Sequence, residues 1–259
     1  MIIILTCISN FQDYILDNIK NLLLFSNRDI IVITEKIFFD KFKNFSITLV
    51  DKNTLDDFNF DKNSNLDRSF RNGFWHLCSL RFFYIYSYIS KNNLKNVLHI
   101  ENDVLIYKNL NNTNLFNSDK VCCVFDCHNR VIPSVIFIPN AKSFEPIIKN
   151  YDSNQNDMVN LSRFSENIIE RLPLFINDNT PFTKNFNKYN IIFDGAAIGQ
   201  YLGGIDKIHN SNDTRGFVNE TCVIKFNNYN FFWVKNENNL FYPNIKINDT
   251  LVPIFNLHI

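Results

Sequence analysis

Hydrophobic and polar positions follow two different periods along the first half of the chain. Short apolar runs rich in β-branched residues, typical of buried strands, occur at 2–8, 30–33, 46–50 and 97–106. Apolar residues recur at helical spacing in the segments 11–25 and 73–90, and a shorter helix is predicted at 36–42. This alternation of strands and helices predicts βαβ units, parallel strands and an α/β fold.

The second half is patterned less regularly. Strands are predicted at 121–125 and 135–138, and helices at 144–150 and 158–171. A glycine-rich stretch at 191–204 follows an irregular region, and short strands and turns are expected from 221 onwards. Because no internal repeat and no Pro- or Ser-rich linker divides the chain, we expect one domain with a less regular C-terminal half.

Composition excludes some classes of protein. A hydrophobic fraction of 46% with 27 Phe among 259 residues is enough for a large core. The 26 basic and 26 acidic residues cancel, so no basic excess points to a nucleic-acid partner. The first apolar run ends at Ile8 without a signal-peptide pattern, and no run reaches membrane-spanning length. We therefore expect a soluble, cytoplasmic protein without a transmembrane segment.

Two carboxylates interrupt the apolar run at 97–106. On a strand, Glu101 and Asp103 would share one face, roughly 6–7 Å apart. Two such oxygen ligands suit a hard divalent cation, and ligands of open α/β sheets bind beyond the carboxyl ends of strands. The sequence therefore predicts a metal site that could hold a diphosphate. The alternative is a strand end followed by an Asn-Asp turn that binds no ligand.

The order of these elements resembles the GT-A fold of nucleotide-sugar-dependent glycosyltransferases. A first strand, a helix carrying Arg81 and an apolar strand lead to Glu101-Asn102-Asp103, which resembles the DxD motif of that family. The resemblance implies a Rossmann-like mixed sheet flanked by helices. It also implies one catalytic domain over 1–259, with a nucleotide-binding half at 1–140 and a donor-sugar and acceptor half at 141–259.

The resemblance also implies ligands for Mn²⁺ or Mg²⁺. Asp103 is expected to bind the metal directly, and Glu101 to bind it through water or to hold the ribose. His258 is expected to complete the site, because many GT-A enzymes use a C-terminal histidine and imidazole suits Mn²⁺. The alternative for His258 is an exposed or purely structural side chain.

Further residues are expected to bind the nucleotide sugar. Thr6, Ser9 and Asn10 lie where GT-A proteins bind the base and ribose, unless they only cap the first strand. Asn102 is placed with them by its position in the motif. Arg81 is expected to neutralise the diphosphate or to brace the acidic triplet, with a helix-surface arginine as the alternative.

Asp194, at the start of the glycine-rich stretch, is the candidate catalytic residue. It would lie at the donor sugar or the acceptor hydroxyl and, in an inverting enzyme, would act as general base. Asp157 and Glu220 are weaker candidates for that role. The alternative for the glycine-rich stretch is tight helix packing.

These features together predict a metal-dependent glycosyltransferase that moves a sugar from a nucleotide-diphosphate sugar, preferably a UDP-sugar, to a hydroxyl of a glycan or glycoconjugate. One alternative is a catalytically inactive GT-A scaffold that binds glycans. Another is a sugar nucleotidyltransferase, although the first strand is not followed by the glycine-rich basic loop of such enzymes. The sequence leaves the donor, the acceptor, the stereochemistry and the oligomeric state open.

Overall fold

A computed structural model describes residues 1–111, 113–176, 180, 183–202 and 224–259. The candidate Glu220 lies outside these ranges, as do the last two glycines of the glycine-rich stretch. The strands are β1 (Ile2–Cys7), β2 (Ile30–Thr34), β3 (Thr48–Asp51), β4 (Lys95–Ile100), β5 (Val104–Ile106), β6 (Val121–Cys127), β7 (Arg130–Asn140), β8 (Ile169–Leu172), β9 (Asn230–Lys235), β10 (Phe241–Ile247), β11 (Thr250–Pro253) and β12 (Asn256–His258).

Helices lie between the strands. The α-helices are α1 (Tyr14–Leu24), α2 (Phe60–Asn63), α3 (Phe74–Lys91), α4 (Ala141–Lys149), α5 (Asp157–Ser162), α6 (Phe186–Tyr189) and α7 (Gly199–Leu202). Short 3₁₀ helices cover Lys36–Phe42, Lys52–Thr54, Phe70–Asn72 and Phe226–Asn228. Helix α1 buries Ile15, Ile19 and Leu22 on one face, as the helical spacing of its apolar residues predicts.

A seven-stranded sheet forms the centre of the α/β fold, in the order β3-β2-β1-β4-β7-β6-β8. Strand β7 runs antiparallel to β4 and β6, and the other neighbours are parallel. The prediction of an α/β fold with a mixed sheet flanked by helices is confirmed. Six of the seven strands therefore end on the same side of the sheet, which we call the carboxyl edge.

The central strands are covered on both faces. Ile3, Ile4 and Leu5 of β1 are consecutive and fully buried, although their side chains alternate between the two faces of the sheet. The apolar runs therefore reflect burial on both sides, as is usual for parallel strands between helices. This rigid core fixes the position of the segments that leave the carboxyl edge.

Among the described residues, two smaller sheets lie outside the central one. Strands β9, β10 and β11 form an antiparallel sheet in the order β11-β10-β9. Strand β12 pairs antiparallel with β5, and this pairing places His258 opposite Val104. The C-terminal segment therefore returns to the end of β4, next to the acidic triplet.

Two sequence predictions are wrong. The strand expected at 97–106 ends at Ile100, because residues 101–103 form a turn and β5 belongs to another sheet. The helix expected at 158–171 ends at Ser162, and Ile169–Leu172 form β8 instead. Pairing of β8 with β6 at the sheet edge outweighs the local helical pattern there.

Within the described ranges, every helix is too short or too polar to cross a bilayer. Five of the six cysteines belong to the described residues and are free thiols, namely Cys7, Cys78, Cys122, Cys123 and Cys127.

Candidate functional site

The acidic triplet forms a turn, which we call the acidic turn (residues 101–103), at the carboxyl edge. The turn is closed by a hydrogen bond of 3.2 Å from the main-chain N–H of Val104 to the carbonyl of Glu101. The buried Asn18 of α1 supports it, because its Nδ2 donates to the carbonyls of Glu101, Asn102 and Val104 over 3.1, 3.1 and 2.9 Å. Both carboxylates therefore project from a fixed main chain, although not from one face of a strand.

The side chain of Asn102 points back into the protein. Its Nδ2 donates to the carbonyl of Thr6 over 2.7 Å and contacts Oε1 of Gln12. These contacts join the acidic turn to the end of β1. The amide group expected to bind a cofactor is thus used to hold the turn against the neighbouring strand.

His258 completes a cluster with the two carboxylates. Its Nε2 lies 3.5 Å from Oδ1 of Asp103 and 3.8 Å from Oε2 of Glu101. One potential ligand atom from each of the three residues lies within 4.8 Å of the others. The side chain of Asp103 is 36% exposed and that of Glu101 is 19% exposed, so the cluster is open to solvent on the Asp103 side.

The cluster is electrostatically suited to a cation. Burial alone would lower the pKa of His258, but the carboxylates of Asp103 and Glu101 raise it to about 9. Burial would raise the pKa of Asp103, and the hydrogen bond and charge of His258 lower it instead. Two carboxylates and an imidazole form a donor set that fits Mn²⁺ or Mg²⁺, because the carboxylates compensate the two charges of the ion.

Arg81 is buried behind the acidic turn. Its Nη1 lies 2.6 Å from Oε1 of Glu101, and its Nη2 donates to Oδ2 of Asp157 over 3.0 Å. Burial acts to lower the pKa of Arg81, but Glu101 above all raises it, so the guanidinium stays charged. Of the two roles predicted for Arg81, this geometry supports bracing of the acidic turn.

A second group of potential ligands lies beside Arg81. Atoms of Cys78, Glu101 and Asp157 lie within 4.8 Å of one another. Burial raises the pKa of the Cys78 thiol well above its usual value and raises the pKa of Asp157 to about 6. Because the guanidinium of Arg81 already binds two of these groups, this cluster is a poorer cation site than the one at His258.

Asp194 is completely buried and holds main-chain groups together. Its Oδ1 accepts hydrogen bonds of 2.9 Å from the N–H groups of Ala197 and Ile198. Its Oδ2 accepts bonds of 2.6 Å from Gly199 and 3.0 Å from His258, again from the main chain. The geometry therefore gives Asp194 a contact with the predicted metal site through the main chain of His258 rather than through its own oxygens.

The residues expected to bind a nucleotide lie at the end of β1. Ser9 and Asn10 are exposed, and Ser9 has a left-handed main chain with φ of 69°. The N–H of Ser9 donates to Oε1 of Glu35 over 2.9 Å, and the same oxygen lies 2.9 Å from Nζ of Lys52. The loop after β1 is thus anchored to the loops after β2 and β3 at the carboxyl edge.

Three residues at this site were missed by sequence reasoning. Asn18 lies on a helix face and Gln12 in a loop, so neither belongs to a motif. Glu35 follows the apolar strand β2 directly, as Glu101 follows β4, and this shared position was the one signal that could have identified it.

No protein-family profile matches the chain, and no curated protein matches it significantly. Matching solved structures include the glycosyltransferase GlyE of Streptococcus pneumoniae TIGR4, with 14% identity and a TM-score of 0.42 over 66% of this chain and 44% of that one. The PaToxG glycosyltransferase matches with 11% identity and a TM-score of 0.34 over 57% of this chain and 60% of that one.

A third match is a cytidylyltransferase from Leptospira borgpetersenii serovar Hardjo-bovis (strain JB197). It has 9% identity and a TM-score of 0.35 over 58% of this chain and 64% of that chain. The chain thus spans between 44% and 64% of the lengths of these three structures. Similarity at this level carries no argument about activity, so the functional conclusion depends on the geometry of the site.

Proposed function

We propose that the chain is a metal-dependent glycosyltransferase that transfers a sugar from a nucleotide-diphosphate sugar, preferably a UDP-sugar, to a hydroxyl of a glycan or glycoconjugate. The observation that carries the proposal is the convergence of Glu101, Asp103 and His258 within 4.8 Å at the carboxyl edge of a mixed α/β sheet. Ligands of such sheets bind at this edge.

In this proposal, Asp103 and His258 bind the metal directly and Glu101 completes the site. Asp103 suits the direct role because its carboxylate is the most exposed of the three side chains. The bound cation would neutralise charge on the leaving diphosphate, which is the main electrostatic demand of glycosyl transfer. The imidazole of His258 favours Mn²⁺ over Mg²⁺.

The exposed Ser9 and Asn10, together with Thr6, would bind the nucleoside next to the metal. The contact between Ser9 and Glu35 supports this role, because it fixes the loop beside the acidic turn. Asn102 and Arg81 would position the turn rather than contact the nucleotide, since Nδ2 of Asn102 and the two terminal nitrogens of Arg81 are already bound to protein atoms. The division into a nucleotide-binding half at 1–140 and a sugar and acceptor half at 141–259 stays a prediction.

We do not assign the general base to Asp194. A carboxylate offers about four lone-pair directions, and four main-chain N–H groups already occupy those of Asp194. An acceptor hydroxyl would have to displace one of these donors. Asp157 is equally unsuited to the role, because it is buried and bound to Arg81.

The proposal can be tested by thermal shift with a panel of nucleotide sugars, each with and without Mn²⁺. Ligands that bind only the folded protein raise its melting temperature. We expect one donor to raise it only when Mn²⁺ is present, and the same donor to release its nucleoside diphosphate when a glycan acceptor is added.

Asp103→Asn should abolish both effects, because it removes one ligand charge at nearly constant volume. Asp249→Asn is the matched control, since the side chain of Asp249 is 93% exposed in the turn between β10 and β11 and should have no effect. Failure of every donor to bind, or equal behaviour of the two variants, would contradict the proposal. Glycan binding without transfer would favour the inactive scaffold instead.

A further inference from the structure

We propose that Asp194 is a positioning residue that holds the metal ligand His258 in place through the main chain. This inference deepens the proposed function and rests on it, because it concerns the geometry of the same metal site. Strand β12 carries His258 but has only three residues, and it pairs with β5, which also has three. Such a short pairing needs further contacts to keep a side chain in a fixed position.

The carboxylate of Asp194 supplies the first of these contacts. Its Oδ2 accepts hydrogen bonds from the N–H groups of Gly199 and His258, and its Oδ1 accepts from the two N–H groups that directly precede α7. A single buried carboxylate thus joins the start of α7 to the last strand. Hydrogen bonds from N–H groups to a charged acceptor are among the stronger ones in proteins, particularly where water is excluded.

The main chain of Asp194 supplies the second contact. Its N–H donates to Oδ1 of Asn256 over 3.2 Å, and its carbonyl accepts from Nδ2 of the same residue over 3.1 Å. Asn256 is the first residue of β12 and is fully buried. Asp194 therefore binds β12 at both ends, at Asn256 through its main chain and at His258 through its side chain.

The close approach of α7 supplies the third contact. A Cβ atom at Gly199 would lie 2.5 Å from the carbonyl oxygen of His258, so only glycine permits this contact. The imidazole of His258 can meet the carboxylates of the acidic turn only where its main chain allows. A shift of about 1 Å at that main chain would carry Nε2 out of ligand range, since ligand positions tolerate only about 0.5 Å.

The test is a double-mutant cycle read out as affinity for Mn²⁺ alone, measured by electron paramagnetic resonance of free Mn²⁺. The variants are Asp194→Asn, His258→Ala and their combination. The amide of Asp194→Asn has one acceptor oxygen, so two of the four N–H groups lose their partner at constant volume. Asn140→Ala is the control, because Oδ1 of Asn140 caps α4 by accepting a hydrogen bond of 3.1 Å from the N–H of Ser143. Asn140 pairs with Lys95 at the start of β4, so it lies at the edge of the sheet opposite to the metal site.

We expect Asp194→Asn to weaken Mn²⁺ binding about tenfold or more, as is usual for groups that orient a ligand. The same change in the His258→Ala background should cause no further loss, because Asp194 acts through His258. Hydrogen exchange should also become faster at 256–258 in Asp194→Asn, whether or not Mn²⁺ is present. Asn140→Ala should change neither quantity.

Two results would overturn the inference alone. One is normal Mn²⁺ affinity in Asp194→Asn, and the other is an equal loss in the wild-type and His258→Ala backgrounds. If the wild-type protein binds no Mn²⁺, the proposed metal site is wrong and the positioning role falls with it. The two failures are therefore distinguishable from the wild-type titration.

Discussion

Gly199→Ala should damage the candidate metal site without replacing any of its ligand residues. Gly199 lies against the main chain of His258, where an added Cβ would be 2.5 Å from the carbonyl oxygen, 2.6 Å from the nitrogen and 2.8 Å from the carbonyl carbon. All three atoms belong to the main chain, so no side-chain rotation can relieve the clash. Either α7 or β12 has to move.

The size of the effect follows from this geometry. An ordinary contact of Cβ starts at about 3.4 Å, so the two segments must separate by roughly 0.9 Å. Overpacking of this kind costs about 1–3 kcal/mol of unfolding free energy. For a chain of this size, a loss of about 2 kcal/mol lowers the melting temperature by roughly 4–8 °C. The separation also lengthens the hydrogen bonds that Gly199 and His258 donate to Asp194.

This reasoning can be tested by urea unfolding and Mn²⁺ titration of Gly199→Ala, with Gly195→Ala as the matched control. A Cβ at Gly195 would meet side chains instead, Cδ2 of Leu174 at 2.9 Å and Cγ1 of Val124 at 3.0 Å, and these can move. We expect Gly195→Ala to retain its Mn²⁺ affinity and Gly199→Ala to lose about tenfold. Equal Mn²⁺ affinity in the two variants would refute the link between α7, β12 and the metal site.

Three further predictions concern the same edge. Asn18→Ala should lower the free energy of unfolding, measured with urea, by about 1–3 kcal/mol, because carbonyls of the acidic turn lose their hydrogen-bond donor. The same change should weaken Mn²⁺ binding in titrations. Arg81→Lys keeps the charge but cannot reach Glu101 and Asp157 together, so urea unfolding should show a loss of at least about 2 kcal/mol. In the metal-free protein, the carboxylates that raise the pKa of His258 from its ordinary value of 6.5 to about 9 stabilise the fold. This contribution is complete below about pH 6.5 and disappears as the pH rises through about 9. His258→Asn should remove that pH dependence from unfolding curves measured between about pH 6 and 10.

The acidic turn shows which features of the candidate site the local sequence pattern could predict and which it could not. The sequence identified Glu101 and Asp103 because charged residues are costly in the middle of an apolar run unless a partner binds them. It left a turn open as the alternative to a continuous strand and could not decide between the two, because the chain leaves β4 to pair β5 with β12, a strand about 150 residues later. The carboxylates still converge, since the turn rather than a shared strand face brings them together.

For Asp194, the sequence identified a candidate residue but could not decide between its two possible roles. The glycine-rich stretch was predicted either to approach a sugar or to pack tightly, and Gly199 packs against β12. A buried aspartate looks the same in sequence whether its oxygens face a substrate or main-chain N–H groups. Only the positions of Ala197, Ile198 and His258 distinguish the two, and long-range folding determines those positions.

The length of Glu101 explains how one residue can serve both sides of the site. Its Oε1 lies 2.6 Å from Arg81 on the buried side, while its Oε2 lies 3.8 Å from His258 on the open side. Arg81 thereby fixes the direction of the carboxylate and leaves one oxygen for a cation. An aspartate is one methylene shorter and could not reach the guanidinium from the same main chain without withdrawing from His258. The glutamate in the first position of this triplet therefore fits a site in which a buried arginine, rather than solvent, orients the ligand.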